Sequence, residues 1–166
     1  MAGIESRSCG RKRIILRAGP QAAAGRIIPA MRGLHLTADL HGCAGDVPAL
    51  TDAAALRKAC LAAVVASGLT PVGELFHRYA LPAGAAADAL PGITGVVLLA
   101  ESHLAVHTWP ELGAVTLDVY VCNFGADNSA RAQALFDRLV AVFEPAAFER
   151  HALERGAAPV PGALSR

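Results

Sequence analysis

The fold is decided by residues 95–122, which read GVVLLAESHLAVHTWPELGAVTLDVYVC. The first six of these residues form an apolar run with branched side chains, which is typical of a buried strand. A polar break at Glu101 and Ser102 separates this run from a second strand over residues 103–109. After a turn that contains Pro and Gly, residues 114–122 alternate apolar and polar side chains, as a half-buried strand does. Strands this close in sequence predict an antiparallel sheet.

Outside this stretch, the sequence predicts two helices and two or three more strands. They are strands over residues 34–40 and 70–78 and near residues 148–153, a helix capped by Thr51 or Asp52 that runs to about Ser67, and a helix capped by Asn128 or Ser129 that ends at Pro145. Two helices on one face of a mainly antiparallel sheet give a two-layer α/β sandwich. Residues 80–92, rich in Ala, Pro and Gly, form a long loop.

The composition excludes several classes of protein. A chain of 166 residues with 54% hydrophobic residues fits one domain with a full core. Fifteen basic residues against 14 acidic ones, with 5% aromatic residues, argue against a nucleic-acid-binding surface. No apolar run reaches the roughly 18 residues of a membrane span. The four cysteines include no Cys-x-x-Cys pair, which argues against a zinc ribbon, and no secretory segment is evident, which favours a reducing cytoplasm.

The first 30 residues differ in charge from the rest of the chain. They carry six Lys and Arg residues against the single acidic residue Glu5. An Arg-rich start is typical of a transit peptide, but a disordered basic tail or an upstream start codon is favoured, because Met31 directly precedes the first predicted strand. We therefore expect one domain over residues 31–155, followed by a C-terminal tail over residues 156–166.

The polar residues at the strand break suggest chemistry of more than one kind. A serine beside a carboxylate, followed by two histidines, is compatible with a hydrolase or a metal site. The Gly-x-Ser-x-Gly motif of many hydrolases is absent, however. His103 and His107 lie four residues apart on one predicted strand, about 13 Å at the usual rise, which is too far to share a zinc ion.

The order and spacing of these residues resemble the prokaryotic S-adenosylmethionine decarboxylase proenzymes, which use a pyruvoyl group. The resemblance covers about residues 31–155 and implies the two-layer fold of that family. It also implies a homodimer of cleaved protomers whose sites draw residues from both subunits. The matching motifs are GVVLLAESHL (residues 95–104), VHTWPE (106–111) and DVYVC (118–122), supported by DLHGC (39–43) and FHRY (76–79).

The resemblance implies a role for each residue of the reacting centre. The chain would cleave itself between Glu101 and Ser102, and Ser102 would become a covalent pyruvoyl group whose ketone condenses with the substrate amine. His107 would assist the processing elimination as a base, since histidine titrates near neutral pH. Cys122 would protonate the α-carbon after carbon dioxide has left, a role that suits a thiol.

The resemblance also implies substrate contacts and no metal. Glu111 would bind the ribose hydroxyls of S-adenosylmethionine, and Tyr79 would pack on the adenine and the sulfonium. Thr94 would line the site near the processing centre, whereas Trp109 is expected to pack in the core. The product would be the aminopropyl donor for spermidine synthesis.

Two alternatives stay open at this stage. The same pyruvoyl mechanism on ornithine or arginine would keep Ser102, His107 and Cys122 and change the rest of the site. The linker from Tyr79 to Gly95 is longer than usual by roughly nine residues, enough for its residues 80–92 to fill an adenosine pocket. The second alternative is an uncleaved pseudo-proenzyme that regulates a partner, but such a chain would have lost one of the three reactive residues.

Overall fold

A computed structural model of the chain describes residues 32–87 and 89–156. These residues form six strands: β1 (Gly33–His41), β2 (Pro71–Arg78), β3 (Ile93–Leu99), β4 (Ser102–Trp109), β5 (Ala114–Cys122) and β6 (Ala147–Arg155). They also form the helices α1 (Pro48–Thr51), α2 (Ala53–Ala66) and α3 (Ser129–Phe143) and a 3₁₀ turn at Pro110–Leu112. The predicted basic tail over residues 1–30 and all but the first residue of the tail over 156–166 lie outside the described residues.

The six strands form one sheet in the order β2-β3-β4-β5-β1-β6, and every neighbouring pair is antiparallel. Strands β2 to β5 follow one another as a meander, as their short connections predict. Strand β1 lies between β5 and β6, so that the beginning and the end of the described chain meet at one side of the sheet. The prediction of a mainly antiparallel sheet is confirmed.

Both long helices pack on the same face of the sheet, which confirms the two-layer sandwich. Helix α2 contacts β2 and β3, α3 contacts β1 and β5, and the two helices contact each other. Alternate strand residues turn toward them, so that β5 buries every second side chain. The largest fully buried side chains of this core are those of Phe136, Phe143, Leu36, Leu40, Leu50, Leu56, Ile93, Leu104, Leu135, Leu139, Val64 and Val97.

The ends of helix α2 follow from its sequence. Asp52 precedes the first turn, and its Oδ1 accepts the Ala54 backbone N–H at 2.9 Å. Gly68 follows the last turn with a φ of +74°, the left-handed conformation that glycine adopts readily. No helix in the described part of the chain is both long and apolar enough to cross a membrane.

Within the described residues, the opposite face of the sheet carries no helix, and large apolar side chains stand exposed on it. Leu75, Leu98, Trp109 and Leu153 alternate with residues that face the helices, and each is more than two-fifths exposed. Exposed apolar patches of this kind mark binding surfaces. We call this side of the sheet the open face.

Helix α1 and strand β6 differ from the sequence prediction. Helix α1 was not predicted, because four residues are too few to show a helical period. Strand β6 is longer than the predicted 148–153 and runs over Ala147–Arg155 with all nine residues exposed. Its register is fixed by backbone pairing with β1 rather than by an apolar pattern of its own.

The close contact of Gly95 with Phe76 yields a test of the packing between β2 and β3. A Cβ at position 95 would overlap the Phe76 ring. Gly95→Ala must therefore push the ring aside and should lower the free energy of unfolding by about 1–3 kcal/mol. Urea unfolding measures this difference. Gly73→Ala is the control, because its Cβ would meet Leu98 at an ordinary 3.5 Å. Equal stability of the two variants would contradict the prediction.

Candidate active site

The polar break in the sequence is a tight hairpin turn in the structure. Leu99 at the end of β3 pairs with Ser102 at the start of β4, which leaves Ala100 and Glu101 as the two residues of the turn. Two-residue turns favour Gly or Asn because they require positive φ angles, and this turn has neither. A positive φ falls instead on Ser102, at +133°. A conformation this rare for a residue with a Cβ costs about 1–3 kcal/mol and must be held by its surroundings.

The backbone carbonyl of Glu101 receives two donors from the end of β5. The Cys122 backbone N–H donates to it at 3.0 Å, and the Cys122 Sγ lies 3.4 Å from the same oxygen. Two donors on one carbonyl draw electron density from its carbon and stabilise an oxyanion formed there. We call Glu101, Ser102 and Cys122 the hairpin cluster.

A second group of the predicted site residues meets at the other end of the same two strands. Thr94 on β3 pairs in register with His107 on β4. The Thr94 Oγ1 lies 2.7 Å from the His107 Nδ1, which fixes the orientation of the imidazole ring on the open face. We call Thr94 and His107 the histidine cluster.

The two clusters do not meet within one protomer. Ser102 and His107 lie five residues apart on β4, about 16 Å at the usual rise of a strand. Thr94 likewise lies beside His107 and away from the hairpin turn. The structure thus brings Ser102, Glu101 and Cys122 together, and Thr94 with His107, but it does not bring the two sets together.

A cavity of about 670 Å³ adjoins the histidine cluster. One wall is formed by described residues of the loop over 80–92. The ends of this loop are joined by the Tyr79 N–H, which donates to the Gly92 carbonyl at 3.0 Å. The facing wall includes His107, Trp109 and Glu111. Tyr79 and Glu111, both predicted from the sequence, therefore line the same cavity, and the long loop encloses space there. The volume is within the usual range for a small-molecule site.

The expectation that Trp109 packs in the core is wrong. Its side chain is 45% exposed and borders the cavity. Trp109 has the same parity on β4 as His107, and this parity places both on the open face. Strand parity counted from the buried Val106 was the signal in the sequence that could have shown this.

The other residues of chemical interest lie elsewhere. His103 Nε2 is 3.5 Å from the Asp118 carboxylate, which His35 also contacts at 2.8 Å. Cys43 and Cys60 are buried in the core, and burial raises the pKa of Cys60 to about 12. Cys122 is the partly exposed thiol among the described cysteines. Sequence reasoning missed the backbone N–H of Cys122 as a donor to Glu101, because no side-chain pattern marks it.

Comparisons with known proteins agree on one family. A family model described as S-adenosylmethionine decarboxylase matches residues 34–156. An S-adenosylmethionine decarboxylase proenzyme of Picrophilus torridus is 34% identical over 124 residues, which cover 75% of this chain and 84% of that protein. One of Persephonella marina is 36% identical over 129 residues, which cover 77% and 85%. The crystal structure of the adenosylmethionine decarboxylase from Aquifex aeolicus superposes with a TM-score of 0.65 at 31% identity, covering 78% of this chain and 94% of that one.

Proposed function

The chain belongs to the S-adenosylmethionine decarboxylase family, and we propose that it is a proenzyme that cleaves its own Glu101–Ser102 bond. The mature enzyme decarboxylates S-adenosylmethionine to the aminopropyl donor for spermidine synthesis. The observation that carries the proposal is the hairpin cluster, in which a serine with strained backbone follows a carbonyl that already accepts two donors. A serine with only a structural role in a turn needs neither a strained backbone nor two donors on the preceding carbonyl.

Self-cleavage uses the two reactive atoms of one serine. The Ser102 Oγ adds to the Glu101 carbonyl carbon, the C–N bond breaks, and the nitrogen takes the hydroxyl proton, so that an ester replaces the amide. The Cys122 N–H and thiol stabilise the oxyanion of this step. Removal of the α-proton of residue 102 then expels the Glu101 carboxylate from Cβ. Water converts the resulting dehydroalanine into a pyruvoyl group and releases ammonia.

The residues around position 102 fit a pyruvoyl group. That group supplies a ketone that withdraws electrons from the substrate α-carbon as carbon dioxide leaves. The backbone of residue 102 is held in β4 by pairing with Leu99 and Val121. The Cys122 Sγ, 3.4 Å from the Glu101 carbonyl, is near enough to the scissile bond to support its role as the acid that returns a proton to the α-carbon.

A homodimer is the arrangement that unites the two clusters. Cleavage needs a base near Ser102, and His107 of the same protomer lies about 16 Å away along β4. Packing of two open faces around a two-fold axis would bring His107 of the partner subunit toward the hairpin turn, while covering the exposed apolar residues Leu75 and Leu98. The separation of the clusters and the exposed apolar face support this assembly.

The cavity beside His107 favours S-adenosylmethionine over a small basic amino acid. Its loop wall consists mainly of Ala, Leu and Pro side chains, which suit the flat apolar surface of a purine. Glu111 adds two acceptor oxygens for a vicinal diol, and Tyr79 adds a ring face for a cationic sulfonium. Ornithine and arginine have neither a purine nor a diol to use these groups.

Removing the serine should stop cleavage without unfolding the chain. Ser102→Ala lacks both the nucleophile and the leaving group, so the variant should remain one intact polypeptide and be inactive. The wild-type chain should yield a fragment that ends at Glu101 and a second, beginning at residue 102, that reacts with carbonyl reagents. Intact mass spectrometry distinguishes these products. Ser67→Ala, at the end of α2, is the control and should cleave normally; cleavage of Ser102→Ala would place the scissile bond elsewhere.

Two inactive chains should restore each other if the site is shared between subunits. When Ser102→Ala and His107→Ala chains carry different tags and are co-expressed, the mixed dimer contains one site with both residues. The His107→Ala chain should therefore be cleaved in mixed dimers and remain largely intact in its own homodimers.

The reverse pairing is the control. A wild-type chain paired with a Ser102→Ala/His107→Ala chain should remain uncleaved, because its Ser102 faces an alanine of the partner. Mixed dimers are purified by both tags in turn, and mass spectrometry shows which of the two chains has been cleaved. Cleavage of the wild-type chain in that pair would show that His107 acts within its own protomer.

The substrate assignment depends on Glu111. Glu111→Gln should cost about 1.5–3 kcal/mol of binding through the loss of charge-assisted hydrogen bonds, which is about a ten- to hundredfold loss in kcat/KM for S-adenosylmethionine. Glu154→Gln, on the exposed strand β6, is the control for the change of charge. Side-by-side assays with S-adenosylmethionine, ornithine and arginine complete the test; turnover of a basic amino acid alone would refute the substrate and leave the self-cleavage intact.

A further inference from the structure

Asn128 precedes helix α3, but its side chain does not cap the helix. It makes no capping hydrogen bond, although it stands at the N-cap position. The first free N–H of the helix, that of Ser129, is instead accepted by the Asp127 Oδ1 at 2.9 Å. Hydrogen bonds from Ser129 hold the pKa of Asp127 below its usual value. The Asn128 side chain is therefore free for another partner, and the residue is only 4% exposed.

That partner is the side chain of Glu101. The Asn128 Nδ2 donates to the Glu101 Oε2 at 2.6 Å and lies 3.4 Å from the Cys122 carbonyl oxygen. The contact joins α3 to the hairpin turn across 27 residues of sequence. A hydrogen bond to a carboxylate is stronger than one between neutral groups.

The orientation of the Asn128 amide is fixed by a second partner. Arg131 Nη1 donates to the Asn128 Oδ1 at 3.0 Å. Because a guanidinium only donates, the amide oxygen must face Arg131 and the NH₂ group must face Glu101. The Asn128 backbone N–H also donates to the Asn123 Oδ1 at 2.9 Å. Both the side chain and the backbone of Asn128 are thus held by contacts that do not involve Glu101.

Glu101 is consequently held at two points. Cys122 binds its carbonyl oxygen, and Asn128 binds its carboxylate. We propose that Asn128 is a positioning residue for self-cleavage, one that anchors Glu101 so that its carbonyl stays on the Cys122 donors and Ser102 stays strained. The inference rests on the proposed cleavage of the Glu101–Ser102 bond.

The physical reason lies in how strain persists. A residue in a sparsely populated region of φ and ψ relaxes unless the chain is fixed on both sides. Pairing of β4 with β5 fixes the chain after Ser102. Before Ser102 the chain is a two-residue turn. The Ala100 N–H donates to the Thr70 carbonyl at 3.0 Å, and rotation of the next residue, Glu101, is limited by its side-chain contact with Asn128. Without that contact, the Glu101 carbonyl can turn away from Cys122.

The test exchanges donor and acceptor between the two residues. Asn128→Asp sets two carboxylates against each other and should slow cleavage at least about tenfold. Glu101→Gln keeps an oxygen that accepts from Asn128 and should slow cleavage less. In the double variant, the new glutamine amide donates to the new aspartate, which Arg131 also contacts. The double variant should therefore cleave within about threefold of Glu101→Gln alone, since the contact is restored.

Cleavage is followed as a time course of the full-length chain after cell-free translation. Asp127→Ala is the matched control, because it removes the real cap of α3 without touching Glu101. The Asp127→Ala variant should have a lower Tm and an unchanged cleavage rate. Tm is measured for each change in the uncleavable Ser102→Ala background, so that folding and cleavage are read separately.

The outcomes separate the two proposals. Slow cleavage of Asn128→Asp that Glu101→Gln rescues supports the positioning role, because damage to the helix would not be rescued by a change in the turn. The positioning role alone is overturned if the wild-type chain cleaves and Asn128→Asp cleaves at the same rate. It is also overturned if Asn128→Asp cleaves slowly and Glu101→Gln does not restore the rate. A wild-type chain that never cleaves overturns the proposed function, and the positioning role with it.

Discussion

The hydrogen bond from the Cys122 amide to the Glu101 carbonyl is the contact on which the site depends. It ties the turn between β3 and β4 to the end of β5, three strands that are consecutive in the chain and adjacent in the sheet. The same contact positions the thiol of Cys122 beside the Glu101–Ser102 bond, the bond proposed to be cleaved. Because the donor is a backbone N–H, its location is set by the register of β4 against β5 and not by a flexible side chain.

Because the helices cover one face of the sheet, the two faces have different roles. The apolar parity of each central strand faces α2 and α3 and supplies the core. The other parity carries His107, Asp118 and Tyr120, together with exposed apolar side chains such as that of Leu98. The two clusters lie at opposite ends of β4 and do not meet within the chain. The symmetric dimer proposed above would bring the hairpin cluster of each subunit to the histidine cluster of the other.

Much of the fold could be predicted from the sequence, because alternation and helical period are local signals. The strand over residues 114–122 was predicted with its observed bounds and with its alternation of buried and partly exposed residues. Two features of the site could not be predicted, because they depend on backbone torsion angles and on tertiary contacts. They are the positive φ of Ser102 and the backbone N–H of Cys122 that donates to Glu101. The resemblance to a known family supplied the roles of Ser102 and His107, but only the coordinates separated these two residues along β4. The wall formed by residues 80–92 was invisible for a similar reason, since Ala and Pro side chains carry no signature of a cavity.

The loop over residues 80–92 is closed at its base by the Tyr79–Gly92 hydrogen bond, which continues the ladder between β2 and β3. The pairing of β2 with β3 therefore does not depend on the length or sequence of the loop. Lengthening such a closed loop costs little, about 0.6 kcal/mol for each doubling. The loop wall of the cavity and the strands of the hairpin cluster are thus separately variable parts: the loop can be rebuilt to admit a bulkier or smaller ligand while the hairpin turn keeps its geometry. In this protein, residues of the loop can therefore change without altering the register of the strands that hold Glu101 and Ser102.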